Sequence, residues 1–110
     1  MSKRLKQLMG FLESSPNEPF ILFAIAKEYE GLGDKPEALK YYLMLQKTSP
    51  DYVGTYYHLG KLYEQLQDDK KAFLTYKKGI EVAKIAGDKH SIAELHSAKI
   101  ELGDDDDFLN

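Results

Sequence analysis

The 110-residue chain has no cysteine and no tryptophan, and only four prolines. Without a thiol there is no disulfide framework, no zinc ribbon, no iron–sulfur site and no thiol nucleophile, and the chain suits a reducing compartment. It also lacks a long apolar run: the longest, Phe20 to Ala26, has seven residues, at the short end of the roughly 7–15 of a signal core and far below the ~20 of a membrane span, so neither targeting nor membrane insertion is expected. An excess of one charge is missing as well. The formal net charge is −3, but Asp104 to Asp107 supply four of the 18 acidic residues, and residues 1–103 carry 15 basic against 14 acidic side chains. Lysines and carboxylates are mixed throughout, which argues against a nucleic-acid footprint, since that needs a basic excess on one face. What is present is ordinary for a globular domain: 43% hydrophobic and 30% charged residues, enough for one core in a chain of this length. The reading is of one soluble, cytoplasmic domain.

The chain repeats itself. Sliding it by 34 residues lays Asn17–Pro50 over Asp51–Lys84 with seven identities: Lys27/Lys61, Tyr29/Tyr63, Glu30/Glu64, Leu32/Leu66, Asp34/Asp68, Ala38/Ala72 and Tyr42/Tyr76. Ordinary composition would give about two or three. Phe23/Tyr57, Ile25/Leu59, Ala26/Gly60 and Leu39/Phe73 are conservative pairs in the same register. Leu5, Leu8 and Pro16 align with Leu39, Tyr42 and Pro50, so the first residues resemble the back half of a further copy. The expected organisation is a half-repeat over 1–16, full repeats over 17–50 and 51–86, a capping helix over 87–103 and an acidic tail over 104–110.

Each repeat reads as two helices. Leu22, Ile25, Ala26, Tyr29 and Leu32 recur at helical spacing, as do Tyr56, Leu59, Gly60, Tyr63 and Leu66. Pro16-Asn17 and Pro50-Asp51 are expected to break the chain and cap the helix that follows. Asp34 and Glu37 form a capping-box pattern with Pro36 in the first turn; after Gly87 the next helix is expected to start near Asp88 or Ser91, with Ser91 and Glu94 as a second candidate capping box. Ala26, Ala38, Gly60 and Ala72 lack bulk where paired helices must approach; at Gly60, alanine is expected to be tolerated if there is room, because Ala26 occupies the equivalent place. One such hairpin cannot cover its own apolar face, so copies must stack.

On these residues the chain resembles the tetratricopeptide repeat family, whose 34-residue helix–turn–helix unit places a small residue in each helix, a tyrosine late in the first, an aromatic in the second and a proline near the end. Leu22, Ile25, Ala26, Tyr29, Gly33, Ala38, Tyr42, Leu45 and Pro50 fill those places, then Tyr56, Leu59, Gly60, Tyr63, Ala72, Tyr76 and Gly79. Gln67 stands where the turn glycine is expected and Lys84 where the closing proline is, which marks the second copy as terminal. The resemblance implies an all-α, right-handed superhelix of αα-hairpins with about six helices. It also implies a non-enzymatic module that binds a protein or peptide segment on its concave face.

Carried onto this chain, that face is Phe20, Phe23, Lys27 and Glu30, then Tyr57, Lys61 and Glu64, with His58 beside it. Phe23, Lys27 and Glu30 share a helix face at i, i+4, i+7, and so do Tyr57, Lys61 and Glu64. The aromatics suit apolar groups and the lysines suit an acidic or C-terminal segment. The plainer alternatives are solvated i, i+3 ion pairs for each lysine and glutamate, and self-association through the same exposed aromatic face. The family's two-lysine, two-asparagine carboxylate clamp is incomplete here, because no asparagine accompanies Lys27 and Lys61.

Catalytic residues, metal ligands and cofactors are not expected. His90 and His96 are six apart with His58 remote, which fits no helical metal spacing, and no glycine-rich phosphate loop occurs. His90 is read as capping or bordering a loop. The tail is read as disordered and solvating; the alternative is that Phe108, Leu109 and the terminal carboxylate dock on Phe23, Tyr57, Lys27 and Lys61.

Overall fold

The computed structural model describes residues 2–109, and its regular elements among them are helices. They fall into two units, 1–52 and 53–110. The first holds α1 (Lys3–Ser14), α2 (Pro19–Gly31) and α3 (Lys35–Thr48); the second holds α4 (Gly54–Gln65), α5 (Asp69–Ala86), α6 (Lys89–Leu102) and α7 (Asp105–Phe108). The all-α hairpin class holds, with seven helices where about six were expected.

In the first unit, the Ser2 hydroxyl accepts the Leu5 N–H at 3.0 Å and starts α1. The same hydroxyl donates to Glu28 at 3.3 Å, and Arg4 meets that carboxylate at 3.4 Å, so the start of α1 is pinned to the last turn of α2. Leu5 and Leu8 of α1 are buried, as are Leu22, Ile25 and Ala26 of α2 and Ala38, Tyr41, Tyr42 and Leu45 of α3. The apolar spacing has become a three-helix core. Tyr29 and Tyr41 stack, with centroids 5.7 Å apart, along the α2–α3 seam.

The second unit buries Tyr56, Ala72, Tyr76, Ile80, Ala83, Leu95 and Ala98 together. Gly79, standing where the first repeat has Leu45, explains how α6 joins. A Cβ at Gly79 would run into the Tyr56 Cβ and come within 3.1 Å of Leu95 Cδ1. The missing side chain therefore makes room for α4 and α6 on the same stretch of α5.

Three helices end alike. The N–H groups of Gly33 and Asp34 bond back to Glu30 and Tyr29 carbonyls; those of Gln67 and Asp68 to Glu64 and Tyr63; those of Gly87 and Asp88 to Lys84 and Ala83. This is the Schellman termination, with the residue after the last turn left-handed. Asp34, Asp68 and Asp88 then turn their carboxylates to the N–H groups of Glu37, Lys71 and Ser91 and open the next helix. The backbone N–H of Asp34 is already used by Tyr29, so Glu37 does not complete a capping box. Ser91 likewise does not cap α6; its N–H and hydroxyl are both donated to Asp88. Those two bonds hold the Asp88 carboxyl below the ordinary carboxylate range.

Two expected caps are corrected. Glu18 N–H bonds to the Ser15 carbonyl and Tyr52 N–H to that of Ser49, so Pro16-Asn17 and Pro50-Asp51 are the central pairs of matching turns. The helices start two to three residues later. Glu18 precedes α2, with Pro19 in its first turn, and Val53 precedes α4 without a side-chain cap.

The tail is also corrected. Asp104 and Asp107 cap one another reciprocally, and Asp105 to Phe108 form a helical turn. Phe108 stacks on Phe73 of α5 at 4.7 Å, not on any residue of the expected groove. Asn110, with its terminal carboxylate, lies outside the described residues.

The Gly60 expectation is reversed. A Cβ there would collide with the Tyr76 ring, which is fully buried and has nowhere to move. Gly60→Ala is expected to lower stability by about 1–3 kcal/mol of overpacking, outweighing the ~0.5–1 kcal/mol of better helix propensity, as read from the urea midpoint. Gln67 takes φ 61° where Gly33 takes 78°. Left-handed backbone costs a residue with a Cβ about 1–2 kcal/mol, part of which glycine returns by loosening the unfolded chain. Gln67→Gly should therefore raise the thermal midpoint, with a gain of about 0.5–1 kcal/mol.

Candidate functional site

On α2, Phe23, Lys27 and Glu30 follow one another along a face. The Phe23 ring is half-buried between Tyr42, edge-on with centroids at 6.2 Å, and Tyr52 at 5.7 Å. Packing against two aromatics fixes its orientation while leaving part of it accessible. One turn earlier Phe20 is 66% exposed. Lys27 is exposed.

Glu30 does something that the sequence reading missed. The buried Tyr42 of α3 donates its hydroxyl hydrogen bond to the Glu30 carboxylate. Burial, and then this carboxylate, push the Tyr42 hydroxyl well above the ordinary tyrosine range. The glutamate acts across the hairpin, holding the second helix against the first.

The second unit repeats the arrangement on α4. Tyr76 of α5 donates to Glu64, and its hydroxyl is displaced upward for the same reasons, burial first. Glu64 also meets the Lys61 ammonium at 3.7 Å, the i, i+3 pair that the plainer reading expected. Lys61 lies 5.5 Å from the centroid of the Tyr57 ring. A cation placed so over an aromatic gains about 0.5–1 kcal/mol at an exposed site. Tyr57 is half-buried, tilted against Tyr76 at 6.5 Å, with His58 edge-on to it at 5.6 Å.

Within each unit the structure thus brings the proposed residues onto one helix face: Phe20, Phe23, Lys27 and Glu30 on α2, and Tyr57, Lys61 and Glu64 on α4, with His58 against Tyr57. Missing from the expected set were Tyr42 and Tyr76. The signal for them was present, since Glu30/Glu64 and Tyr42/Tyr76 all belong to the identities of the 34-residue repeat. Twelve residues separate donor from acceptor in both copies, the span of one helical hairpin turn.

The remaining histidines stand apart. His90 lies in the first turn of α6, 88% exposed at the side chain and 3.9 Å from Glu94; it caps nothing, because Asp88 holds that position. His96 is exposed. Among the described residues no three His, Asp or Glu side chains are gathered as a metal site would require. No helix among them is long and apolar enough to cross a membrane.

The tetratricopeptide repeat family model matches residues 53–85. A crystal structure of a tetratricopeptide repeat domain protein from Salinibacter ruber is 45% identical, with a TM-score of 0.75 over 77% of this chain and 94% of that one. A solution structure of a tetratricopeptide repeat domain protein from the same organism gives 45% identity and a TM-score of 0.76, over 79% and 88%. A solution structure of a Bordetella parapertussis protein shares the fold at 23% identity, with a TM-score of 0.75 over 93% and 89%. Comparison with curated proteins returns no match. This chain belongs to the tetratricopeptide repeat family. The family's fold serves in general as a protein-interaction scaffold and is generally non-catalytic.

The tyrosine–glutamate pairs carry a pH signature. Both hydroxyls titrate above their value of 10.0 in an unfolded chain. Their contribution to stability is complete below pH 10 and is lost as pH rises beyond it, because the unfolded state ionises first. Denaturant midpoints should fall from about pH 10 upward. Tyr76→Phe should flatten part of that fall and cost about 1–2 kcal/mol at neutral pH for the lost bond to a carboxylate.

Proposed function

We propose that this chain is a non-enzymatic binding module that takes a protein or peptide segment on the faces of its first helices, with acidic or C-terminal segments preferred. The observation that carries this reading is the recurrence, 34 residues apart, of an aromatic and a lysine set one turn apart on a helix whose glutamate is anchored to a core tyrosine. Phe20, Phe23, Tyr57 and His58 offer apolar and edge contacts. Lys27 and Lys61 offer charge-assisted hydrogen bonds to a carboxylate or backbone carbonyl. Glu30 and Glu64 contribute by positioning: with their oxygens engaged by Tyr42 and Tyr76, they keep each aromatic–lysine pair in place. The cysteine-free chain and the mixed surface charge support a cytoplasmic setting, without nucleic acid or membrane as partner.

A peptide array displaying each sequence with a free and with an amidated C-terminus tests the preference. Lys27→Glu combined with Lys61→Glu should leave helicity unchanged and weaken the best ligand by about tenfold or more, equivalent to ~1.4 kcal/mol. Equal affinity for the two proteins would remove the lysines from the site. Concentration-dependent mass without ligand, abolished by Phe20→Ala, would replace this reading with self-association.

A further inference from the structure

A second grouping of an aromatic ring and lysines lies on α5 and α6, and none of its residues belongs to the set assigned above. Phe73 and Lys77 are one turn apart on α5, and Lys99 of α6 places its ammonium 5.0 Å from the Phe73 ring centroid. The surface is occupied by the chain's own α7. Phe108 stacks on Phe73, with rings 4.7 Å apart and inclined by 26°. Lys77 donates to both carboxylate oxygens of Asp105, each at 3.3 Å. Asp105 and Phe108 are i, i+3 on one helical turn, so one face of a four-residue helix delivers a carboxylate and a ring together.

The site and its occupant are matched in chemistry. An ammonium beside a ring accepts a carboxylate beside a ring, and Lys99 supplies a second cation over the Phe73 ring. The occupant is held loosely by comparison with the helices beneath it. None of its residues is buried, and Lys77 and Asp105 are 40% and 60% exposed. Its connection to α6 is Gly103, at φ 148°, a conformation that residues with a Cβ rarely adopt. A Cβ there would also press on Phe108 at 3.1 Å. The chain is thus built to fold back onto α5, yet the contact that results is small: Phe73 is fully buried, while Phe108 is only half-buried and Asp105 stays exposed.

We propose that Phe73, Lys77 and Lys99 form a binding site for acidic segments that carry an aromatic residue three positions after an aspartate, and that α7 is its resident occupant, displaced by a partner segment of that chemistry. The tail is a tethered competitor. Because tethering gives it a high effective concentration, it sets a threshold that a partner must exceed. The site is independent of Lys27 and Lys61, and so of the function proposed above.

The full-length chain carrying Asp105→Ala and Phe108→Ala unseats α7 while leaving the site intact. A fluorescent peptide reproducing residues 103–110 serves as probe, followed by anisotropy. The unseated variant should bind it saturably, about tenfold or more tighter than the wild type does, with the difference narrowing at high salt as the ion pair is screened. Adding Lys77→Glu, a half-exposed position whose change should leave circular dichroism unaltered, should abolish the gain. A probe with alanine at the position of Phe108 should fail to bind. The proposal is overturned if wild type and unseated variant bind alike, or if Lys77→Glu has no effect. It is equally overturned if wild type sediments as a dimer that the tail substitutions dissolve, since the tail would then belong to a neighbouring copy.

Discussion

A tyrosine ring can be buried for its apolar area only if its hydroxyl also finds a partner. That requirement organises both units of this molecule. Tyr42 and Tyr76 fill the space between paired helices and present their hydroxyls to Glu30 and Glu64. The bond fixes how far the second helix slides along the first and how it is rotated. It also determines what the first helix shows to solvent. With the glutamate drawn toward the tyrosine, the preceding turn is left to an aromatic and a lysine. In the second unit Glu64 engages Lys61 as well, and the lysine lies over Tyr57. A core requirement therefore shapes a surface.

Much of the architecture was readable because a repeat states its rules twice. Periodic apolar positions, small residues at fixed places and aspartates after the turns located the helix pairs, since each rests on local geometry. The misses share a different origin. Pro16-Asn17 and Pro50-Asp51 could be read as breaks, but a proline followed by an Asx residue serves equally in a turn and before a helix. The choice fell to hydrogen bonds with Ser15 and Ser49. Gly60 looked interchangeable with Ala26 because both are small, yet the Tyr76 ring lies against it too closely for a methyl group. Size at one position does not reveal what faces it.

The tail was misread for a related reason. Four adjacent aspartates repel one another and favour solvent, which is sound as a statement about an isolated segment. Here Asp104 and Asp107 satisfy each other's backbone N–H groups, Asp105 finds Lys77, and Phe108 finds a ring. The residues that decide the outcome are Phe73 and Lys77, far earlier in the chain than the tail they meet. For the candidate site, the i, i+4, i+7 row was legible, whereas the engagement of its glutamates depended on partners in the other helix of each hairpin.

Asp34, Asp68 and Asp88 each close one helix with a backbone N–H and open the next with a carboxylate. A joint made by one residue leaves no slack: lengthening it by even one position would separate the closing bond from the opening one. It also assembles before any distant contact is needed, because all its partners lie within about five residues along the chain. Each hairpin bend is then available as an early folding nucleus, and the cost of closing long loops is largely avoided. The same economy makes the segment between successive aspartates a natural unit of duplication, since a copy inserted there brings its own stop and its own start.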